Sequence, residues 1–202
     1  MALAVLHRAN TVPAEQEIRM GEIKAGLFVS LDGVTEAPET WHFPYFDDEM
    51  GAAVGALMAT DATLFGRVTY TEMAEYWPNA DPADPTTAMM NGARKYVVSN
   101  TLTSADWENT TLIRGDAAAE ELAKLKQDSR IGVTGSVTLV RWLLEQRLLD
   151  ELHLLVHPIV VGHGKRLFQD GPTVPLKLVS STAFASGVLH LVYAAADEST
   201  EG

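Results

Sequence analysis

Apolar residues in this chain fall into two alternating patterns. Short runs are apolar on both alternating sets of positions, and between them lie stretches in which apolar residues recur every three or four positions. Runs of the first kind read as strands covered on two faces: Ile23 to Val29, Ala62–Phe65, Lys95–Ser99, Thr111–Ile113, Ile131–Val133 and Glu151–Val156. Stretches of the second kind read as helices. Asp47–Ala59 places Met50, Val54, Leu57 and Met58 on one face, with acids in its first turn where the helix dipole favours them. Thr69–Tyr76 and Asp116–Gln127 follow the same rule. The helix after Ser136 carries Leu139, Val140, Leu143 and Leu144 on one side. Trp77–Ala88, with Pro78, Pro82 and Pro85, reads as an irregular surface loop. Leu176–Thr182 and Val188–Ala194 are β-like runs around Ala-Phe-Ala-Ser-Gly, a spacing that suits an antiparallel return.

Strands alternating with helices predict an α/β fold: a single domain with a mostly parallel central sheet, helices on both faces and an antiparallel C-terminal strand. The domain is expected over residues 22–196. Residues 1–21 read as an N-terminal extension of mixed polarity, and 197–202 as a frayed tail.

Composition narrows the function classes. A length of 202 residues suits one domain with a large core. The net charge of −12 argues against nucleic acid as a partner, because no broad surface can neutralise phosphates. The absence of cysteine removes disulfides and thiolate chemistry and fits a reducing, cytoplasmic setting. No apolar run is long enough to span a membrane.

In open parallel sheets, ligands bind beyond the carboxyl ends of the strands. Here those ends read Ser30-Leu31-Asp32, Gly66-Arg67, Ser99-Asn100 and Thr134-Gly135-Ser136. Gly135 lets backbone approach a ligand, and Ser136 is a natural N-cap for a helix whose first N–H groups lack partners. A phosphate suits that arrangement; a simple capped turn is the alternative. Gly66-Arg67-Val68-Thr69 adds a guanidinium and a hydroxyl, a compact phosphate clamp or again a turn. Ser99-Asn100-Thr101 adds further donors, or merely Asx-type turn chemistry. The chain contains no Gly-x-Gly-x-x-Gly with the spacing of a dinucleotide fingerprint and no Walker A sequence.

Three acids are candidates for catalytic work: Asp32, Asp47 and Asp48. Each could bind a ring N–H or supply a proton after hydride transfer; Asp32 could instead form a turn, and the other two could cap a helix. His153 and His157 would lie roughly 13 Å apart on one strand, too far to share an ion, so no metal is expected and both read as structural.

These residues occur in an order that resembles a known family. Ser30-Leu31-Asp32-Gly33, Gly66-Arg67-Val68-Thr69-Tyr70, Val97-Val98-Ser99-Asn100-Thr101-Leu102, Gly135-Ser136, Leu149-Asp150-Glu151-Leu152 and Pro158-Ile159-Val160-Val161-Gly162-x-Gly164-Lys165-Arg166-Leu167-Phe168 together look like the RibD C-terminal domain family. Its members are riboflavin-pathway reductases that share the dihydrofolate reductase fold. The resemblance implies an NADPH-dependent reductase acting on a small heterocycle, similar to 5-amino-6-(5-phosphoribosylamino)uracil reductase. It implies that Gly66, Arg67 and Thr69 hold cofactor phosphates, that Ser99 and Asn100 face the adenosine 2′-phosphate, that Gly135, Ser136 and Val137 hold the pyrophosphate, and that Val68, Thr101 and Thr134 belong to the same cofactor-binding set. Leu27 would flank the nicotinamide, and Trp41, Phe46 and His157 would contact substrate. It further implies a homodimer. Dihydrofolate reduction and a non-catalytic NADPH-binding dimeric module are the alternatives.

Overall fold

The computed structural model describes residues 21–169 and 171–196. The expected N-terminal extension, apart from Gly21, and the expected tail lie outside them. Six parallel strands form the body of the sheet: β1 (Glu22–Ser30), β2 (Ala62–Gly66), β3 (Lys95–Val98), β4 (Thr110–Ile113), β5 (Arg130–Val133) and β6 (Glu151–His157). β7 (Leu176–Ala183) and β8 (Leu189–Ala195) close the order β4-β3-β2-β5-β1-β6-β8-β7. β8 lies antiparallel to both neighbours. The antiparallel return therefore inserts its second strand next to β6 and leaves β7 at the edge.

Five α-helices cover the sheet: α1 (Asp48–Met58), α2 (Arg67–Tyr76), α3 (Pro85–Gly92), α4 (Ala118–Leu125) and α5 (Val137–Glu145). Side chains alternate across a strand, so β1 feeds two layers. Ile23, Ala25, Leu27 and Val29 pack with Leu122 of α4 and with Leu139, Val140, Leu143 and Leu144 of α5. On the opposite face Phe28 joins Met50, Val54 and Leu57 of α1, together with Leu155 and Phe184. Phe65, Val97 and Trp107 meet Tyr70 and Met73 of α2 on that same face. Gly26 stands where α1 comes closest, since a Cβ there would lie 2.7 Å from Leu57. Each fully buried aliphatic side chain in these layers contributes about 1.5–3 kcal/mol of apolar transfer energy.

The expected loop at 77–88 is a correction. Trp77–Asn79 is a 3-10 turn, and α3 begins within the segment at Pro85. Asp84 caps that helix by accepting from the Thr86 N–H, and Pro85 sits in the first turn, where its missing donor costs nothing. Proline there starts a helix instead of preventing one. At the start of β3 the ammonium of Lys95 is buried, donating to the carbonyls of Asn91, Ala93 and Glu108 while lying over the Trp107 ring. Burial draws its pKa down to about 8.

Candidate functional site

The carboxyl ends of the parallel strands form one rim, in the order β4, β3, β2, β5, β1, β6. At its centre Gly66 and Gly135 lie side by side, the Gly66 N–H approaching the Gly135 carbonyl at 3.4 Å. Neither tolerates a side chain. A methyl group on Gly66 would overlap Ser136 Oγ, and one on Gly135 would stand 3.0 Å from Thr69 Oγ1. Gly135 also has φ of 152°, which favours glycine, and its peptide bond to Ser136 is cis. Ser136 caps α5, its hydroxyl accepting from the Leu139 N–H at 3.4 Å. The backbone is thus bare where two helices, α2 and α5, point their N-termini at the rim.

A cleft of about 440 Å³ opens there, lined by Gly66, Arg67, Val68, Val98, Asn100, Gly115, Ser136, Thr138, Leu139 and Trp142. A shallower recess continues past Asn100 to Thr101, Leu102, Arg114 and Asp116. The structure therefore brings together Gly66, Arg67, Val68, Asn100 and Ser136 on one cleft wall, with Thr69, Thr101, Gly135 and Val137 next to it. Arg67 and Arg114 are the exposed cations of this region. Ser99 differs from the others. It is buried, and its Oγ accepts from the Thr101 and Leu102 N–H groups, so it shapes the turn. Asn100 likewise accepts from the Gly115 N–H at 2.7 Å, and it lines the cleft.

Across β5 lies a second cavity, a slot of about 210 Å³. It runs between β1 and α1, lined by Lys24, Gly26, Leu27, Phe28, Thr35, Pro38, Val54, Leu57, Met58, Val133, Thr134 and Leu155. Leu27, expected beside the nicotinamide, lines it, as does Thr134 from the cofactor-binding set. Cleft and slot meet just beyond β5, with Thr134 in the slot and Ser136, two residues on, in the cleft.

Two of the three acids expected to orient the substrate or supply a proton already have partners within the fold. Asp32 accepts from Ser30 Oγ and from the N–H groups of Val161 and Gly162, and Arg166 Nη2 stands 3.4 Å away. Those hydrogen bonds, the one from Ser30 first, hold its carboxyl well below the usual range. It stays ionised and fastens the turn after β1 to the loop after β6. Asp47 caps α1 through the Met50 N–H and also accepts from the Ser186 N–H, which lowers its pKa. Asp48 is exposed in the first turn of α1. None of the three lines the slot.

The expected substrate contacts also move back one layer. Trp41 is buried and donates from Nε1 to the Glu36 carbonyl. His157 is fully buried, edge-on to Phe28, Trp41 and Tyr45, with Nδ1 on the Leu155 carbonyl. His42, unremarked in the sequence, stacks on Phe28 at 4.5 Å. Burial lowers the pKa of both imidazoles. Phe46 is exposed beside His42. These rings support the wall of the slot through Phe28 instead of lining it.

Sequence reasoning missed Gly115, Arg114, Thr138 and Trp142. The last two carried a signal, because Thr138, Leu139 and Trp142 follow Ser136 at first-turn and i+3 spacing on α5. Gly115 and Arg114 follow a strand so short that its end gave no motif. Among the described residues, no helix is long and apolar enough to cross a membrane.

Comparison with known proteins agrees with this geometry. The chain is 32% identical over 187 residues to the uncharacterized protein YyaP of Bacillus subtilis, covering 87% of this chain and 96% of that one. Its fold is shared by a pyrimidine reductase-like protein from Corynebacterium diphtheriae, with a TM-score of 0.61 at 15% identity over 88% of this chain and 93% of the other. It is shared as well by a dihydrofolate reductase from Enterococcus faecalis complexed with NADP(H), with a TM-score of 0.57 at 16% identity over 88% and 98% of the two chains. Family and fold support a reductase-type function. With the model of the RibD C-terminal domain matching residues 22–190, the chain belongs to the RibD C-terminal domain family.

Proposed function

We propose that the protein is an NADPH-dependent reductase that transfers a hydride to a small heterocyclic acceptor. One observation carries this reading: a cleft with bare backbone and Arg67 at its lip, extended by a recess with Arg114, abuts an apolar slot just beyond β5. The parts suit the two halves of a dinucleotide. Gly66, Gly135 and Ser136 would admit phosphates against the N-termini of α2 and α5, where unpaired N–H groups and the helix dipole favour anions. Arg67 would pair with a phosphate, and Asn100 with Arg114 would face the adenosine 2′-phosphate. Leu27 and Thr134 would border the nicotinamide, which supplies the hydride when bound. The chain's own part is to hold donor and acceptor in register and to keep water out of the slot.

The slot favours a neutral ring. Among its lining residues there is no carboxylate to pair with a protonated ring nitrogen, which makes dihydrofolate a poorer fit. The test is direct. NADPH should quench the emission of Trp142 on binding, and Arg67→Ala should weaken binding at least tenfold. No quenching and no thermal protection at millimolar NADPH would overturn the reading. Tight binding without turnover on pterins, flavins and pyrimidine ribosides would favour a non-catalytic module.

The same reading includes a homodimer. Edge strand β7 exposes Leu178 and Val179 together with its backbone donors and acceptors, the kind of edge that monomers usually protect. Light scattering should return twice the chain mass, and Leu178→Lys should reduce it to one.

A further inference from the structure

Every hydride transferred to a neutral acceptor needs one proton, and the acids nominated from the sequence do not line the slot. Its one titratable lining residue is Lys24, on the face of β1 that also carries Gly26 and Phe28. Lys24 does not stand alone. Its ammonium lies 3.0 Å from Glu151 Oε2 and 3.1 Å from Glu22 Oε1. The same Glu151 oxygen is 3.0 Å from His153 Nε2, and His153 Nδ1 is 3.0 Å from His190 Nε2. The result is an unbroken hydrogen-bonded file across β1, β6 and β8, running from the slot to the partly exposed His190.

Building on the reductase reading above, we propose that Lys24 touches the acceptor and delivers the balancing proton, and that Glu151, His153 and His190 reload it. The acceptor class is a neutral ring bearing a conjugated carbonyl. Hydride forms a C–H bond at the electrophilic carbon and the π pair moves to oxygen. An O–H bond forms there as the Lys24 N–H bond breaks. The acceptor gains two electrons, the reduced nicotinamide loses them, and the proton returns to Lys24 along the file from solvent. Lys24 is the catalytic residue here; Glu151, His153 and His190 are positioning residues.

The surroundings suit this role. Leu57 and Met58 of α1 bring no charge, and Gly132 of β5 lies opposite in register. The charged and titratable groups facing Lys24 are Glu22, Glu151, His153 and His190. Burial pulls the Lys24 pKa down, but the hydrogen bonds from Glu151 and Glu22 outweigh it and raise the value. The ammonium therefore stays loaded at neutral pH. Burial lowers His190, which keeps that imidazole mostly neutral and able to pass a proton.

Menadione and 2-methylnaphthalene, one ring skeleton with and without carbonyl oxygens, are the probes. The chain has no cysteine for the quinone to alkylate. By tryptophan quenching, the wild type should bind menadione about tenfold more tightly than the hydrocarbon. Lys24→Met should erase that preference while leaving 2-methylnaphthalene within twofold, and Lys24→Arg should restore part of it. With NADPH and menadione, Lys24→Met should lower kcat about a hundredfold, the scale of a lost general acid, and raise the menadione KM by no more than the roughly tenfold lost in binding. His190→Asn should move the alkaline limb of kcat to lower pH without altering NADPH affinity. Equal effects of Lys24→Met on both probes, no effect on either, or no binding of menadione would overturn the proposal. The probe pair needs no cofactor, so failure of NADPH binding defeats the reductase reading and the proton step built on it. The contact of Lys24 with a carbonyl acceptor is decided by the probe pair alone.

Discussion

The two halves of the rim are built by different means. On the β2–β5 side, the site is mostly backbone: glycines, a helix cap and two cations, contributed by short stretches that are contiguous in sequence. On the β1–α1 side it is almost wholly side chain, drawn from β1, the loop after it, α1, β5 and β6, which lie far apart in the chain. The difference has a physical origin. Phosphates are met by N–H groups, which every residue has, so the sequence need only withhold side chains. A planar ring is met by shape and apolar area, which only converging elements provide.

Breaking the backbone half should have the largest effect. Gly66→Val forces a branched side chain into Ser136. NADPH affinity should fall more than a hundredfold, and stability by about 1–3 kcal/mol, the usual cost of overpacking. Isothermal titration and thermal melts measure the two losses separately. A variant that binds NADPH normally would show that the cleft is not the cofactor site.

The support of the slot comes next. His157→Ala empties a fully buried site beside Phe28, Trp41 and Tyr45 and should cost about 2–4 kcal/mol by chemical denaturation. Menadione, held wholly in the slot, should weaken more than NADPH, whose phosphates are held in the cleft. A pH effect accompanies it. The unfolded imidazoles of His42 and His157 take up protons near their ordinary pKa, whereas the folded ones, lowered by burial, do so only at lower pH. Stability is therefore complete above about pH 6.5 and declines as pH falls toward the lowered values. His157→Phe should flatten that decline.

Smaller effects should separate the remaining roles. Ser136→Ala removes the cap of α5 and should cost about 0.5–2 kcal/mol, with a modest loss of NADPH affinity. Asp32→Asn should lower the Tm but leave the pH profile of any turnover unchanged, because that carboxylate is engaged with Val161, Gly162 and Arg166. A shifted profile would return Asp32 to the chemistry.

Much of the fold was legible because local and global signals agree. Apolar runs mark the parallel strands and 3.6-residue periodicity marks α1 and α5, while the Gly-Ser break before α5 marks the cap. Pro85 was misread because proline punctuates loops and opens helices alike; Asp84 before it was the distinguishing sign. The lining of the cleft was legible for the same reason, its glycines and polar residues lying next to one another at strand ends.

What the chain itself determined is the α/β architecture, the family and the row of glycine and hydroxyl residues at the rim. Tertiary structure alone decided which polar groups remain available for chemistry. Asp32 and Asp47 are acids in sequence but anchors in space, since their partners, Val161 and Gly162 for one and Ser186 for the other, come from far along the chain. Lys24 has only Glu22 beside it in its own strand until β6 and β8 bring Glu151, His153 and His190 into line with it. Availability of a proton depends on who else is bound to it, and pairing between distant strands is written in no local stretch.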